Sequence, residues 1–235
     1  MTTAPADRIP GLIAAVTLIT PFMLMGVTAS VLGQAIGWPA SLGDPASITL
    51  PRLIEKADAV KLGYSCYLAV AMLLVPATAA MSARLRLSPS LGGFLLTLAG
   101  MSALAKAIGI CRWLFAMPEL ARAYVAPGAD QATLSAIFEA LNAYLGGIGE
   151  LLGVGLISGV WTLVIGWAVI RAPGRIAKLV GGYVMLSGLG LFGVTLPFFG
   201  IEVGGLLSVA NRAWLLGLAA MGVWALTTPK TAASA

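Results

Sequence analysis

Six long stretches of apolar residues, separated by short polar punctuation, dominate the chain. They run over about residues 9–32, 62–81, 91–115, 142–170, 179–201 and 203–227. Each holds close to the ~20 residues that a helix needs to cross about 30 Å of hydrocarbon. No alternation of apolar and polar positions interrupts them, so the pattern predicts helices surrounded by lipid rather than strands or amphipathic surface helices. The expected architecture is an all-α, polytopic transmembrane helical bundle of six spans in a single integral membrane domain, residues 1–235. The first stretch exceeds the ~7–15 residue apolar region of a signal peptide, which favours an uncleaved span.

The punctuation adds detail. Between the first two spans lies a segment, Gly33 to Lys61, with Trp38, Pro39, Gly43, Asp44 and Pro45 as turn signals. Its second half, from Pro51 to Lys61, is helical in composition and is expected to run directly into span two as one long helix projecting from the bilayer. Residues from Met117 to Asp130 read as a polar turn broken by Pro118, Pro127 and Gly128, with Asp130 as N-cap of the helix entering span four. The turn between spans five and six is short enough to make them antiparallel neighbours.

Composition agrees with this reading. The 235 residues are 59% hydrophobic and 10% charged, with mean hydropathy +0.97, against about 25% charged in a soluble domain. Histidine is absent and there are two cysteines, Cys66 and Cys111. Nothing therefore calls for a cofactor or a metal, since imidazole ligation and multi-cysteine sites are both missing. The formal charge of +5 comes without a basic run or aromatic-interleaved polar surface, which excludes a nucleic-acid partner. Instead the charge is distributed by side. Arg8, Arg84, Arg86, Arg171, Arg175, Lys178 and Lys230 gather at one end of the spans, facing only Asp7. Arg52, Lys56, Lys61 and Arg122 share the other end with Asp44, Glu55, Asp58, Glu119, Asp130, Glu139 and Glu202. By the positive-inside bias both termini are cytoplasmic, in a bacterial inner membrane, and the longer loops lie outside. Tyr64, Tyr67 and Trp113 then fall near the outer boundary, and Trp167, Tyr183 and Trp224 near the inner one, as interfacial anchors.

A few polar residues remain inside the spans. Counting helical rise from the outer ends puts Lys106 roughly 15 Å deep, with Glu150, Asn211 and Arg212 comparable and Arg112 shallower. An intramembrane acid costs about 2.5–3.5 kcal/mol on insertion scales unless it faces protein or water. The candidate ligand-binding residues are thus Glu150, Lys106, Arg112, Arg212, Asn211 and Asn142. They suggest a basic, outward-opening cavity in which Glu150 pairs with Lys106 or Arg212 and the surplus positive charge receives an anion. The opposing reading is structural, with Arg112 snorkelling to headgroups, Glu150 fixing helix register against Lys106, and Glu202 reaching Arg212. Gly146, Gly147 and Gly153 surround Glu150 at helical spacing and leave its face bare for a neighbouring helix, more in keeping with intramolecular packing than with dimerisation. Ser102 and Ser158 read as ordinary packing residues. Cys66 and Cys111 lie at matched depth, which permits a disulfide, although two small buried thiols satisfy the pattern as well.

The order of features resembles a bacterial family of integral membrane proteins described as domain of unknown function 4386. The resemblance is carried by Arg8-Ile-Pro-Gly-Leu-Ile, by the long outer loop before span two, by Leu104-Ala-Lys-Ala-Ile-Gly-Ile-Cys-Arg112, and by Val164-Ile-Gly-Trp-Ala-Val-Ile-Arg171-Ala-Pro-Gly-Arg175-Ile-Ala-Lys-Leu-Val-Gly-Gly182. It implies six helices in the inner membrane and supplies no activity and no site residues. Three functions stay open. The first is binding or transport of a small anionic or amphipathic ligand, although the chain is small for a secondary transporter unless it forms a homo-oligomer. The second is an accessory subunit docked to a membrane-protein partner through its outer helical extensions. The third is an intramembrane enzyme acting on a lipid or isoprenoid, with Glu150 as general acid.

Overall fold

The computed structural model describes residues 5–203 and 205–227, with side chains from residue 9 onward apart from 206 and 207. Lys230, Gly204 and the side chains of Asp7 and Arg8, which entered the charge and depth arguments, lie outside that description. The structure is 89% helical, and the described residues include no strand. Among the described residues nine α-helices follow in the order α1 (Pro5–Ile36), α2 (Ala46–Glu55), α3 (Ala57–Leu85), α4 (Pro89–Cys111), α5 (Met117–Tyr124), α6 (Gln131–Gly147), α7 (Ser158–Ile170), α8 (Arg175–Phe192) and α9 (Leu206–Thr227). Two π-helical segments, Arg112–Ala116 and Ile148–Ile157, weld α4 to α5 and α6 to α7.

Six of the resulting rods are long and apolar enough to cross a membrane: Ile9–Ile36, Ala57–Leu85, Pro89–Tyr124, Gln131–Ile170, Arg175–Phe199 and Ser208–Thr227. Each packs against the next in sequence, and α9 closes the ring by packing on α1. This closure puts the start of the first rod beside the end of the last, where a Cβ on Gly11 would sit 2.7 Å from the Ala225 carbonyl oxygen. The face bearing the described chain ends also carries Arg84, Arg86, Arg171, Arg175 and Lys178 and is called the basic face below. Outward-facing Leu12, Val16, Leu104, Leu179 and Leu186 are more than half exposed, as side chains turned to lipid must be.

The ring is filled unequally. Toward the basic face, Leu18, Met81, Leu95, Trp161, Ile165, Leu191 and Met221 are fully buried in one cluster. Its two central tryptophans keep their indole donors bonded, Trp161 Nε1 to Thr78 Oγ1 at 3.0 Å and Trp214 Nε1 to Thr162 Oγ1 at 2.8 Å. A second cluster, including Leu32, Leu50, Tyr64, Trp113, Met117 and Phe138, lies at the opposite end.

That end departs from expectation in two ways. The helix predicted to run unbroken from Pro51 into span two is interrupted at Lys56, whose φ of −118° and ψ of 26° are not helical. Buried Ala46, Thr49, Leu50 and Leu53 give α2 an apolar face, and burying it against α5 and α6 outweighs continuing straight into solvent. The polar turn predicted from Met117 is also helical as far as Tyr124. Pro118 cannot donate to the carbonyl four residues back and would clash with it; the widened turn Arg112–Ala116 just before it accommodates both demands. Asp130 does cap α6, accepting from Thr133 N at 3.1 Å and from Thr133 Oγ1 at 2.7 Å. These hydrogen bonds from Thr133, the hydroxyl first, hold its carboxyl below the usual range.

One contact sets how close the rods come. A Cβ on Gly109 of α4 would lie 2.9 Å from Gly149 Cα, and a Cβ on Gly149 would lie 3.1 Å from Gly109 Cα. The two backbones touch through glycine, as small residues allow in helix packing within membranes. Gly155 and Gly159 face Thr195 and Phe192 instead, so the glycines of the fourth rod serve two intramolecular contacts. Gly109→Ala is expected to destabilise the protein by about 1–3 kcal/mol through forced separation of backbones. Gly93→Ala, with open space around it, is expected to be neutral or to stabilise by up to ~1 kcal/mol. Melting temperatures in detergent, followed by tryptophan fluorescence, would check both.

Candidate functional site

A cavity of about 590 Å³ occupies the ring on the far side of the Trp161 and Trp214 layer. All six rods contribute to its wall, from Met25 and Ala29 on α1 to Asn211, Arg212 and Leu215 on α9. Trp38, Pro39 and Leu42 of the segment between α1 and α2 lie over it. Lys106, Arg112, Glu150, Asn211 and Arg212, five of the six residues singled out from the sequence, line this one space. Asn142 does not. Its Nδ2 donates to the Leu42 carbonyl at 3.1 Å, so it pins the covering segment in place from outside.

Lys106 sits at the floor. Its side chain is 5% exposed, and Nζ donates to Ser158 Oγ at 2.7 Å while lying 4.8 Å from the centre of the Trp214 ring. Ser158 Oγ is 2.8 Å from Ser102 Oγ, and both hydroxyls lie 2.9 Å from the Gly153 carbonyl. The two serines therefore relay the amine's donor onto a backbone acceptor, and the indole face supplies further attraction to a cation. Lys106 does not pair with Glu150. Gly153 explains the fit, since a Cβ there would lie 2.9 Å from Lys106 Cγ.

Glu150 meets Arg112 instead, Oε1 to Nη2 at 3.9 Å, close enough for attraction but too long for a hydrogen bond. Arg112 lines the cavity and does not snorkel to headgroups as the alternative reading had it: it is 6% exposed and lies 5.4 Å from the centre of the Trp113 ring. The reason is Gly146, which leaves room for the guanidinium against α6, where a Cβ would stand 3.3 Å from Nη2. The Glu150 side chain is 48% exposed although helices surround it, because its carboxylate looks into the open cavity. Among the described residues Arg212 has no ion-pair partner, Glu202 included, and its side chain is exposed.

Several lining residues were not anticipated. Tyr64 stacks on Trp113 at 5.3 Å with the rings 1° from parallel, and Tyr67 meets Trp38 edge-on at 6.0 Å. Tyr64, Trp113 and Trp224 are thus interior residues rather than interfacial anchors, whereas Trp167 and Tyr183 are 40% and 39% exposed. Among the described residues the Tyr64 hydroxyl and Arg112 Nε are buried with no hydrogen-bond partner, a state that costs free energy. Ser102 stands four residues before Lys106 on one helical face, a signal the sequence did carry. No comparable signal pointed to Ser158 or Trp214. Cys66 and Cys111 are free thiols, and among the described residues no group of acids and cysteines could hold a metal.

Comparison with known proteins follows this geometry. The family model described as Domain of unknown function (DUF4386) matches residues 12–228, nearly the whole ring. The chain belongs to that family. No curated protein and no solved structure gives a match. In this DUF4386 chain the lysine–serine relay is the most constrained part of the site. Ser158→Ala would leave the buried amine of Lys106 without its acceptor and is expected to cost roughly 1–3 kcal/mol. Lys106→Met, similar in volume and apolar, is expected to cost less and to rescue much of the serine loss in the double variant. Thermal unfolding of the four proteins in one detergent would reveal the coupling; simple additivity would show that the contact carries no weight.

Proposed function

We propose that the protein binds a small anionic or amphipathic molecule in its central cavity. The carrying observation is the sign of the wall: Lys106, Arg112 and Arg212 against the single acid Glu150, around about 590 Å³ of space. Such a volume suits a small organic ligand. Aromatic and aliphatic neighbours, among them Met25, Trp38, Tyr64, Tyr67 and Leu215, suit an apolar tail. Orientation by the positive-inside bias puts the mouth outside and both termini in the cytoplasm of a bacterial cell.

Two other roles are less well supported. An accessory subunit was to dock through the outer helical extensions, but one of them, α2, packs its apolar face against α5 and α6. An enzyme using Glu150 as general acid would hold that carboxyl apart from cations, whereas it faces Arg112. Transport would require more than the cavity. The packed layer of Trp161, Ile165, Met81 and Met221 closes the path to the basic face, so we take binding as the function and passage as a step that would need this layer to move.

Trp113 and Trp214, both near the cavity, give a direct readout. A brominated fatty acid is expected to quench tryptophan fluorescence at much lower concentration than a brominated alcohol of equal chain length. Arg212→Gln should weaken the acid roughly tenfold, the loss of one charge-assisted bond worth about 1.5 kcal/mol. Glu150→Gln should strengthen it by removing a like charge and releasing Arg112. Equal quenching by acid and alcohol in the wild-type protein would overturn the proposal.

A further inference from the structure

A second pocket, of about 320 Å³, opens at the basic face, separated from the central cavity by the tryptophan layer. It lies where the α3–α4 turn, the α7–α8 turn and the end of α9 converge. Three arginines line it: Arg84, Arg86 and Arg171. Its described lining contains no acid.

The arginines are held in different ways. Arg84 is 6% exposed; its Nε donates to the Ala225 carbonyl at 3.3 Å, and its guanidinium lies 5.6 Å from the centre of the Trp224 ring. These contacts anchor it at the base of the pocket. Arg171, exposed at the rim, lies over Trp167 at 4.1 Å from the ring centre. Arg86, also at the rim, has a φ of 52° and a ψ of 45°. Left-handed backbone at the residue after a helix is the place for glycine, and a side chain there is strained. An arginine at this position adds a charge to the pocket that the turn itself does not require. Ser88, the N-cap of the 23-residue α4, also lines the space, so the positive end of that helix points to the same place.

We propose that this pocket binds a phosphate-bearing anion at the basic face. Guanidinium groups pair with phosphate oxygens in a planar, two-pronged geometry that lysine cannot reproduce. Basic pockets between membrane helices take acidic headgroups in this way. The apolar part of the lining, Leu85, Leu87 and Leu91 with Trp167, lies beside the arginines and can accept the glycerol and first methylenes of an acidic phospholipid. A soluble phosphate would use the arginines alone.

Native mass spectrometry of the delipidated full chain, titrated with phosphatidylglycerol or phosphatidylcholine, tests the assignment. The wild-type protein is expected to retain phosphatidylglycerol at least fivefold better. Arg171→Gln and Arg86→Gly should bring that ratio toward unity, while Lys178→Gln, outside the lining, should leave it unchanged. Arg86→Gly carries its own folding control: glycine relieves the positive φ, so its melting temperature should not fall. Inorganic phosphate at millimolar concentration separates the sources. If it stabilises the wild-type protein against heat and displaces the lipid, the pocket takes phosphate as such; if it does neither, the ligand is the lipid headgroup. Equal retention of the two lipids by the wild-type protein, or an undiminished preference in both arginine variants, would overturn the proposal.

Discussion

Where the third and fourth membrane rods cross, Gly109 and Gly149 bring backbone against backbone, and the interior of the protein is arranged around that contact. Lipid offers no hydrophobic drive for two apolar helices to associate, so the gain must come from close van der Waals approach. Any side chain at the crossing would push the rods apart. The closeness has a chemical consequence. Gly153, one turn further along, receives the stem of Lys106, and Gly146, one turn back, receives the guanidinium of Arg112. The same row of glycines that lets the helices touch also leaves slots for the two cations of the third rod.

Those cations could not be buried without local compensation. Lys106 has a hydroxyl relay and an indole face, and Arg112 has the Trp113 ring and the Glu150 carboxylate. Each arrangement offsets part of a desolvation cost of several kcal/mol per ion. Neither uses up all the donors of its cation, and both groups border the same open space. The π-helical stretch Ile148–Ile157 belongs to this economy, since widened turns are frequent at functional sites. It carries Glu150 and ends against Ser158, one residue of each charge-bearing pair.

The two ends of the ring differ in how they are closed. At the basic face, packed tryptophan and methionine side chains fill the centre. At the other, α2, α5 and the segment around Trp38 form a lid of amphipathic pieces over empty volume, tied down by Asn142. The two ends thus differ in shape, with a deep cavity under the lid and a shallow arginine pocket at the opposite end.

The lipid-crossing architecture was legible in the chain alone. Burial in hydrocarbon demands long unbroken apolar runs, and such runs are a property of local sequence. The same holds for the segregation of basic residues to one end and for the Asp130 cap. That Lys106, Arg112, Glu150, Asn211 and Arg212 share an interior could also be inferred, because charges at that depth avoid lipid. Which charge faces which could not. Partner choice depends on rotation about each helix axis, and the turns at Arg112–Ala116 and Ile148–Ile157 shift that rotation with no signature in composition. Ser158, Trp214 and Tyr64 entered the site for the same reason, as residues whose side chains are neighbours of the cavity only once six rods have closed into a ring. Sequence fixes what each rod must avoid; closure of the ring decides what each side chain meets.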